Sequence, residues 1–125
     1  RTGSVFNAWF KGQHRQEFMW FAIAGSMPFV TIDGEHAAAK IVDAARHGDA
    51  ELVITWPAKL AAAAAGVTPR LTATAAGIAN HFLPGPTDDT EGEHSHSGWQ
   101  SSSDWAPSTL TRLSERAAAR NNELP

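Results

Sequence analysis

From Gln13 to about Ala24 the chain carries His14, Phe18, Phe21 and Gly25 at alternating spacings of four and three, a stripe that predicts a helix. Residues 1–12 ahead of it read as a loop or short helical turn. Gly25-Ser26-Met27-Pro28 closes the helix, because proline has no amide hydrogen and biases Met27 away from helical dihedrals. A second helix is predicted behind Asp33, whose carboxylate suits an N-cap. Its apolar face is Ala37, Ala38, Ile41, Val42 and Ala45, and Gly48 suits a left-handed end.

Glu51-Leu52-Val53-Ile54-Thr55-Trp56 is the one segment with strand character, β-branched and aromatic, and Pro57 is expected to stop it. Ala58–Ala65 predicts a short Ala-rich helix closed by Gly66. Thr68-Pro69 starts another as N-cap and first-turn proline, carrying Leu71, Ile78 and Phe82. Thr87 to about Asp104 turns to Asp, Glu, Ser, Gly and His, too polar to offset the ordering of its backbone, and is expected to be a mobile or loosely held loop. Pro107-Ser108 opens a last helix, Thr109 to about Arg120, with Leu110, Leu113 and Ala117 on one side. The expected fold is mainly α with a single strand. Its organisation is a segment 1–86, an acidic, Ser- and His-rich flexible loop 87–106, and a C-terminal helix and tail 107–125.

The apolar run Leu52–Trp56 is the kind found where both faces of a parallel sheet are covered, yet no sister strand is evident in the sequence. Each buried backbone group left unpaired costs about 1–3 kcal/mol, so a partner strand is expected from elsewhere. The candidates are an absent amino-terminal part of the same polypeptide, favoured here, a second chain pairing along the 51–56 edge, or a rare helical fold in which this segment lies exposed. The opening Arg1-Thr2-Gly3-Ser4 likewise reads as the middle of a longer polypeptide.

Composition narrows the partners. Ten Lys plus Arg against thirteen Asp plus Glu give a net charge of −3, without the basic surplus that grips phosphate backbones, so nucleic acid is not expected. The chain has no cysteine, which rules out disulfides and thiolate metal sites and suits a cytoplasmic protein. No apolar run approaches the roughly eighteen residues of a membrane span.

"RTGS" at the start, "IDGEHAAAKIVDAARHGDAELVIT" in the middle and "LTRLSERAAARNNELP" at the end resemble the carboxy-terminal portion of a bacterial short-chain dehydrogenase/reductase. The likeness runs from Arg1 to Leu124. It implies a C-terminal fragment of a Rossmann-type α/β fold, made of substrate-loop helices over about Phe6–Met27, a helix Glu35–His47, the last strand at Glu51–Trp56, and terminal helices. It also implies that Thr2 stands beside the nicotinamide carboxamide of NAD or NADP, bound by the intact parent and not by this chain alone. The family's glycine-rich phosphate turn is absent, and so is its Ser-Tyr-Lys set, since the chain contains no tyrosine. The resemblance therefore implies the substrate side of an oxidoreductase of apolar alcohols or ketones, inactive alone. A non-enzymatic helical self-association or interaction module is the alternative.

In the resemblance, Phe6, Trp9, Phe10, His14, Phe18 and Phe21 line the substrate pocket, with His14 or Gln13 as its polar contact. Ordinary core packing of the aromatics, Trp20 included, is the competing expectation. Glu91, Glu93, His94 and His96, with Asp88 and Asp89 upstream, have zinc or nickel chemistry but no evident second shell, and no metal is expected. No Gly-x-Ser-x-Gly elbow presents a serine nucleophile. The Ala58–Phe82 pair lacks the lysine-rich face that holds amphipathic hairpins on membranes, and close packing through small side chains is its expected use.

Overall fold

The computed structural model describes residues 1–87 and 90–124, and the side chains of Thr90 and Glu91 are outside the description. The chain is mainly helical and forms two compact units, one of residues 1–27 and 83–125 and one of residues 28–82.

The discontinuous unit is organised by aromatic rings close to one another in sequence. A four-residue helix α1 (Ser4–Asn7), a two-residue strand β1 (Trp9–Phe10) and helix α2 (His14–Ser26) deliver Phe6, Phe10 and Phe18 to one core, where Phe18 is fully buried. Its ring meets Phe6 and Phe10 edge-on, with centroids 5.5 and 5.9 Å apart. Ala22, Ala106 and Ala118 complete the core. Helix α2 spans the predicted stretch and runs on to Ser26.

The stretch expected to be a loosely held acidic loop supplies elements to this unit. Thr90–Glu93 forms a 3-10 turn, β2 (His96–Ser97) pairs antiparallel with β1, and Gly98–Ser101 forms a second 3-10 turn. Trp9 stands opposite Ser97 and Phe10 opposite His96. The second turn is anchored by a capping box: the Gln100 amide donates to the Ser97 hydroxyl and the Gln100 side chain accepts from the Ser97 amide at 3.0 Å. Gly98 is buried against the backbone of Val5 and Phe6, its amide donating to the Ala8 carbonyl at 2.9 Å, and Trp99 then stacks on Phe6 with centroids 4.8 Å apart. Polar composition hid a segment whose small residues permit close backbone approach.

Helix α6 (Arg112–Arg120) begins later than Thr109, because the Thr111 hydroxyl binds the Ser108 amide at 2.7 Å and holds that stretch as a turn. α6 joins α2 through buried hydroxyls: Ser26 Oγ lies 3.0 Å from the Thr111 carbonyl oxygen and 2.8 Å from Ser114 Oγ, and accepts from the Ser114 amide at 3.2 Å. The Gly3 amide donates to the Glu123 carboxylate.

The second unit holds α3 (Gly34–His47), α4 (Trp56–Val67) and α5 (Pro69–Asn80). α3 has the expected ends: Asp33 accepts from the Glu35 amide at 3.1 Å, and Gly48 is left-handed at φ +72°. The expected strand 51–56 is not formed. Glu51–Ile54 belong to no helix or ladder, Thr55 caps α4, and Trp56 is its first residue. Pro57, expected to stop a strand, sits instead in the first helical turn, where its missing amide hydrogen costs nothing. Among the described residues the strands are the β1–β2 pair, not the single strand expected. Gly66 lies inside α4, and the break comes at Thr68, ahead of Pro69. Among residues 28–82 only Ala44 is buried.

Candidate functional site

In the discontinuous unit, the N-terminal residue of α2 and the β2 segment bring two histidines and a serine together. His14 and His96 stack with ring centroids 4.1 Å apart and planes 20° from parallel. His14 Nδ1 is 3.0 Å from Ser101 Oγ, and the Ser101 hydroxyl donates to the Ser97 carbonyl at 2.8 Å. With the serine proton held there, Nδ1 carries its own proton and donates to Oγ, which leaves the Nε2 lone pair as the free acceptor of His14. Burial pushes the His14 pKa below its usual value, and the facing His96 and neighbouring Arg15 lower it further. The group is a neutral hydrogen-bonding imidazole near pH 7.

That geometry excludes a Ser–His nucleophile. A serine attacks when its proton passes to an imidazole acceptor, whereas here the imidazole donates to the serine, and Ser101 is fully buried. It also opposes chelation: rings stacked face to face hold their in-plane lone pairs in nearly parallel planes, which do not converge on one ion. Among the described residues no group of three His, Asp or Glu could hold a metal. Glu93 and His94 are exposed. Asp88 and Asp89 lie outside the described residues, as does the Glu91 side chain.

The aromatic candidates divide in two. Phe6, Phe10 and Phe18 pack on one another as core. Trp9 and Phe21 are exposed, with Phe21 tilted against Phe10 at 6.0 Å. His14 is half-buried at the start of α2, and Gln13 donates to the Gly85 carbonyl at 2.9 Å. Thr2 is exposed; its hydroxyl lies 2.9 Å from Ser4 Oγ and accepts from the Ser4 amide at 3.4 Å. Sequence reasoning set His96 aside as a weak metal ligand and did not reach Ser101. The Ser97-x-x-Gln100 capping pattern was the available signal that this stretch turns back on itself.

The other unit has an open cleft of about 440 Å³ lined by Asp49, Glu51, Leu52, Val53, Lys59 and Ala62. Among the described residues, the backbone groups of Leu52–Ile54 make no hydrogen bond with other backbone groups. No family model, curated protein or solved structure matches the chain.

Proposed function

We propose that this chain is the carboxy-terminal, substrate-side part of a short-chain dehydrogenase/reductase that oxidises or reduces an apolar alcohol or ketone with NAD or NADP, and that it is inactive as the isolated chain. The observation that carries the reading is Leu52–Ile54, an apolar, β-branched run at an open cleft whose backbone pairs with no other backbone group among the described residues. Such a run is what a sheet strand looks like before its neighbour is supplied. α3 precedes it and α4 follows it, the order in which the resemblance sets its helix, last strand and terminal helices.

In this reading the chain makes no dinucleotide site by itself. Thr2 is engaged with Ser4, and no Gly-x-Gly-x-x-Gly turn leads into a helix. In this reading the cofactor and the proton-transfer residues belong to the amino-terminal half. This chain contributes the exposed Trp9 and Phe21 and the free acceptor of His14 to the substrate side.

The test mixes the chain with an amino-terminal half of a short-chain dehydrogenase/reductase that carries the glycine-rich turn and the Tyr-x-x-x-Lys pair. Amide exchange at Leu52–Ile54 and nicotinamide absorbance are followed together. The reading expects protection of those amides and turnover only in the mixture. Protection in the chain alone, with a stable homo-oligomer indifferent to the added half, would replace it with the self-association module.

A further inference from the structure

The face-to-face contact of His14 and His96, with ring centroids 4.1 Å apart, joins the first residue of α2 to the β2 segment. It lies across the seam where the 96–101 stretch docks on the amino-terminal part of the unit. Few contacts hold that seam. They include the two-residue ladder of β1 and β2, the Gly98 amide on the Ala8 carbonyl, the Trp99 ring on Phe6, and the Ser101 hydroxyl under His14. A segment tied down by so little is the kind that opens by itself while the rest of a domain stays folded.

The contact depends on charge. Two neutral imidazoles rest on each other through their ring faces, whereas two imidazolium ions 4.1 Å apart disfavour the contact about fivefold even at the dielectric of water, and more strongly where the rings are half-buried, as both are. Nothing described around the pair offsets that repulsion. α1, β1 and the Gly98–Ser101 turn carry no titratable side chain. On α2 the neighbouring Arg15 is a cation, and Glu17 is the one carboxylate of the helix. Lys11 precedes α2, and Glu93 and His94 precede β2, all three exposed, with Asp88, Asp89 and the Glu91 side chain outside the described residues. α6, with Arg112, Glu115, Arg116 and Arg120, bonds α2 at the other end, at Ser26. Among the described residues neither ring pairs with a carboxylate. His14 also stands at the N-terminus of α2, where the helix dipole opposes a cation.

We propose that the stacked pair is an acid-operated latch: with neutral rings it holds the 96–101 stretch on the amino-terminal part of the unit, and with both rings protonated it releases that stretch and uncovers the Phe6 ring beneath Trp99. The release is local, because the Phe6, Phe10 and Phe18 rings and the Ser26–Ser114 junction that hold the rest of the unit contain no titratable group. The latch does not depend on the oxidoreductase reading.

Amide exchange of the full chain, followed by NMR from about pH 7.5 to about pH 5 and corrected for the intrinsic pH dependence of exchange, tests it on both sides of the ordinary histidine value of about 6.5. The Gly98 amide reports the latch, and the Ser114 amide, bonded to Ser26, reports the rest of the unit. Opening at Gly98 is expected to rise about fivefold or more on acidification, with Ser114 changing by less than about twofold. His96→Phe keeps a flat ring against His14 without the charge and should bring the rise at Gly98 below about twofold, as should His14→Phe. Side-chain NMR of the unsubstituted chain gives a second readout: the pair should take up its two protons in separate steps. Gly98 protection indifferent to pH overturns the proposal, as does a rise retained in His96→Phe. Parallel opening of Ser114 also overturns it, since acid then unfolds the whole unit. Uptake of both protons in one step at the ordinary histidine value overturns it too, because the rings then do not feel each other.

Discussion

Substituting Gly98 by alanine asks whether the polar 96–101 stretch is part of the core. A methyl group there would lie 2.7 Å from both the Cα and the carbonyl oxygen of Phe6, and closer still to the carbonyl oxygen of Val5. All three are backbone atoms of α1 and cannot swing away, so the 3-10 turn itself must retreat by roughly 1 Å to restore contact distances. Forced overpacking costs about 1–3 kcal/mol. The retreat also breaks the Gly98 amide bond to Ala8, about 1 kcal/mol, and parts the Trp99 ring from Phe6, about 1 kcal/mol more. Gly98→Ala should thus destabilise this unit by about 3–5 kcal/mol. With a urea slope of about 2 kcal/mol per molar, the midpoint followed by tryptophan fluorescence falls by about 1.5–2.5 M. A shift under about 0.3 M would mean that the turn is not docked on α1, and the aromatic core as drawn would be wrong.

Phe18→Ala removes the ring at the centre of that core and should cost about 3–5 kcal/mol in the same urea titration. Ser26→Ala strips the α2–α6 junction of the hydroxyl that serves Thr111 and Ser114, leaving buried polar groups unpaired at a cost of about 1–3 kcal/mol, readable by thermal melting. Gly77→Ala, where an added methyl meets nothing within 4 Å, should strengthen α5 by up to about 1 kcal/mol, seen as slower amide exchange across Pro69–Asn80. His14 has a depressed pKa when folded, so on acidification the unfolded chain takes up its proton first. Its contribution to stability is therefore complete above pH ~6.5, is lost as pH falls through that value, and levels off once the folded imidazole also protonates. His14→Gln should flatten this part of the stability profile, and an unchanged slope would show that another group carries it.

Helix ends were the most legible feature of this sequence, because a few side chains set them locally. Asp33 and Gly48 bracket α3, Thr68-Pro69 divides α4 from α5, and Pro28 follows the end of α2. The strand was misplaced because β-branched composition is a statement about surroundings: Leu52–Ile54 has strand chemistry, but no neighbour among the described residues offers a ladder. The true pair, Trp9–Phe10 with His96–Ser97, is only two residues long on each side, too brief for alternation to register. Of the site, His14 was visible by residue type and by the resemblance. Its contact with Ser101 was not, because it joins residues 87 positions apart in a stretch whose composition pointed to solvent. Phe6, Phe10 and Phe18, for which the sequence left pocket lining and core packing both open, are buried against one another.

One consequence follows from the discontinuity of the first unit. Residues 28–82 form a guest inserted between two halves of a host, since α2 and α6 meet although a complete helical body intervenes in the chain. The host must close a long excursion before its hydroxyl junction can form, but closure entropy grows only logarithmically, by about 0.6 kcal/mol for each doubling of length. The guest is thus free to gain or lose turns of helix at small expense to the host core, and length variation among descendants of this sequence should gather there.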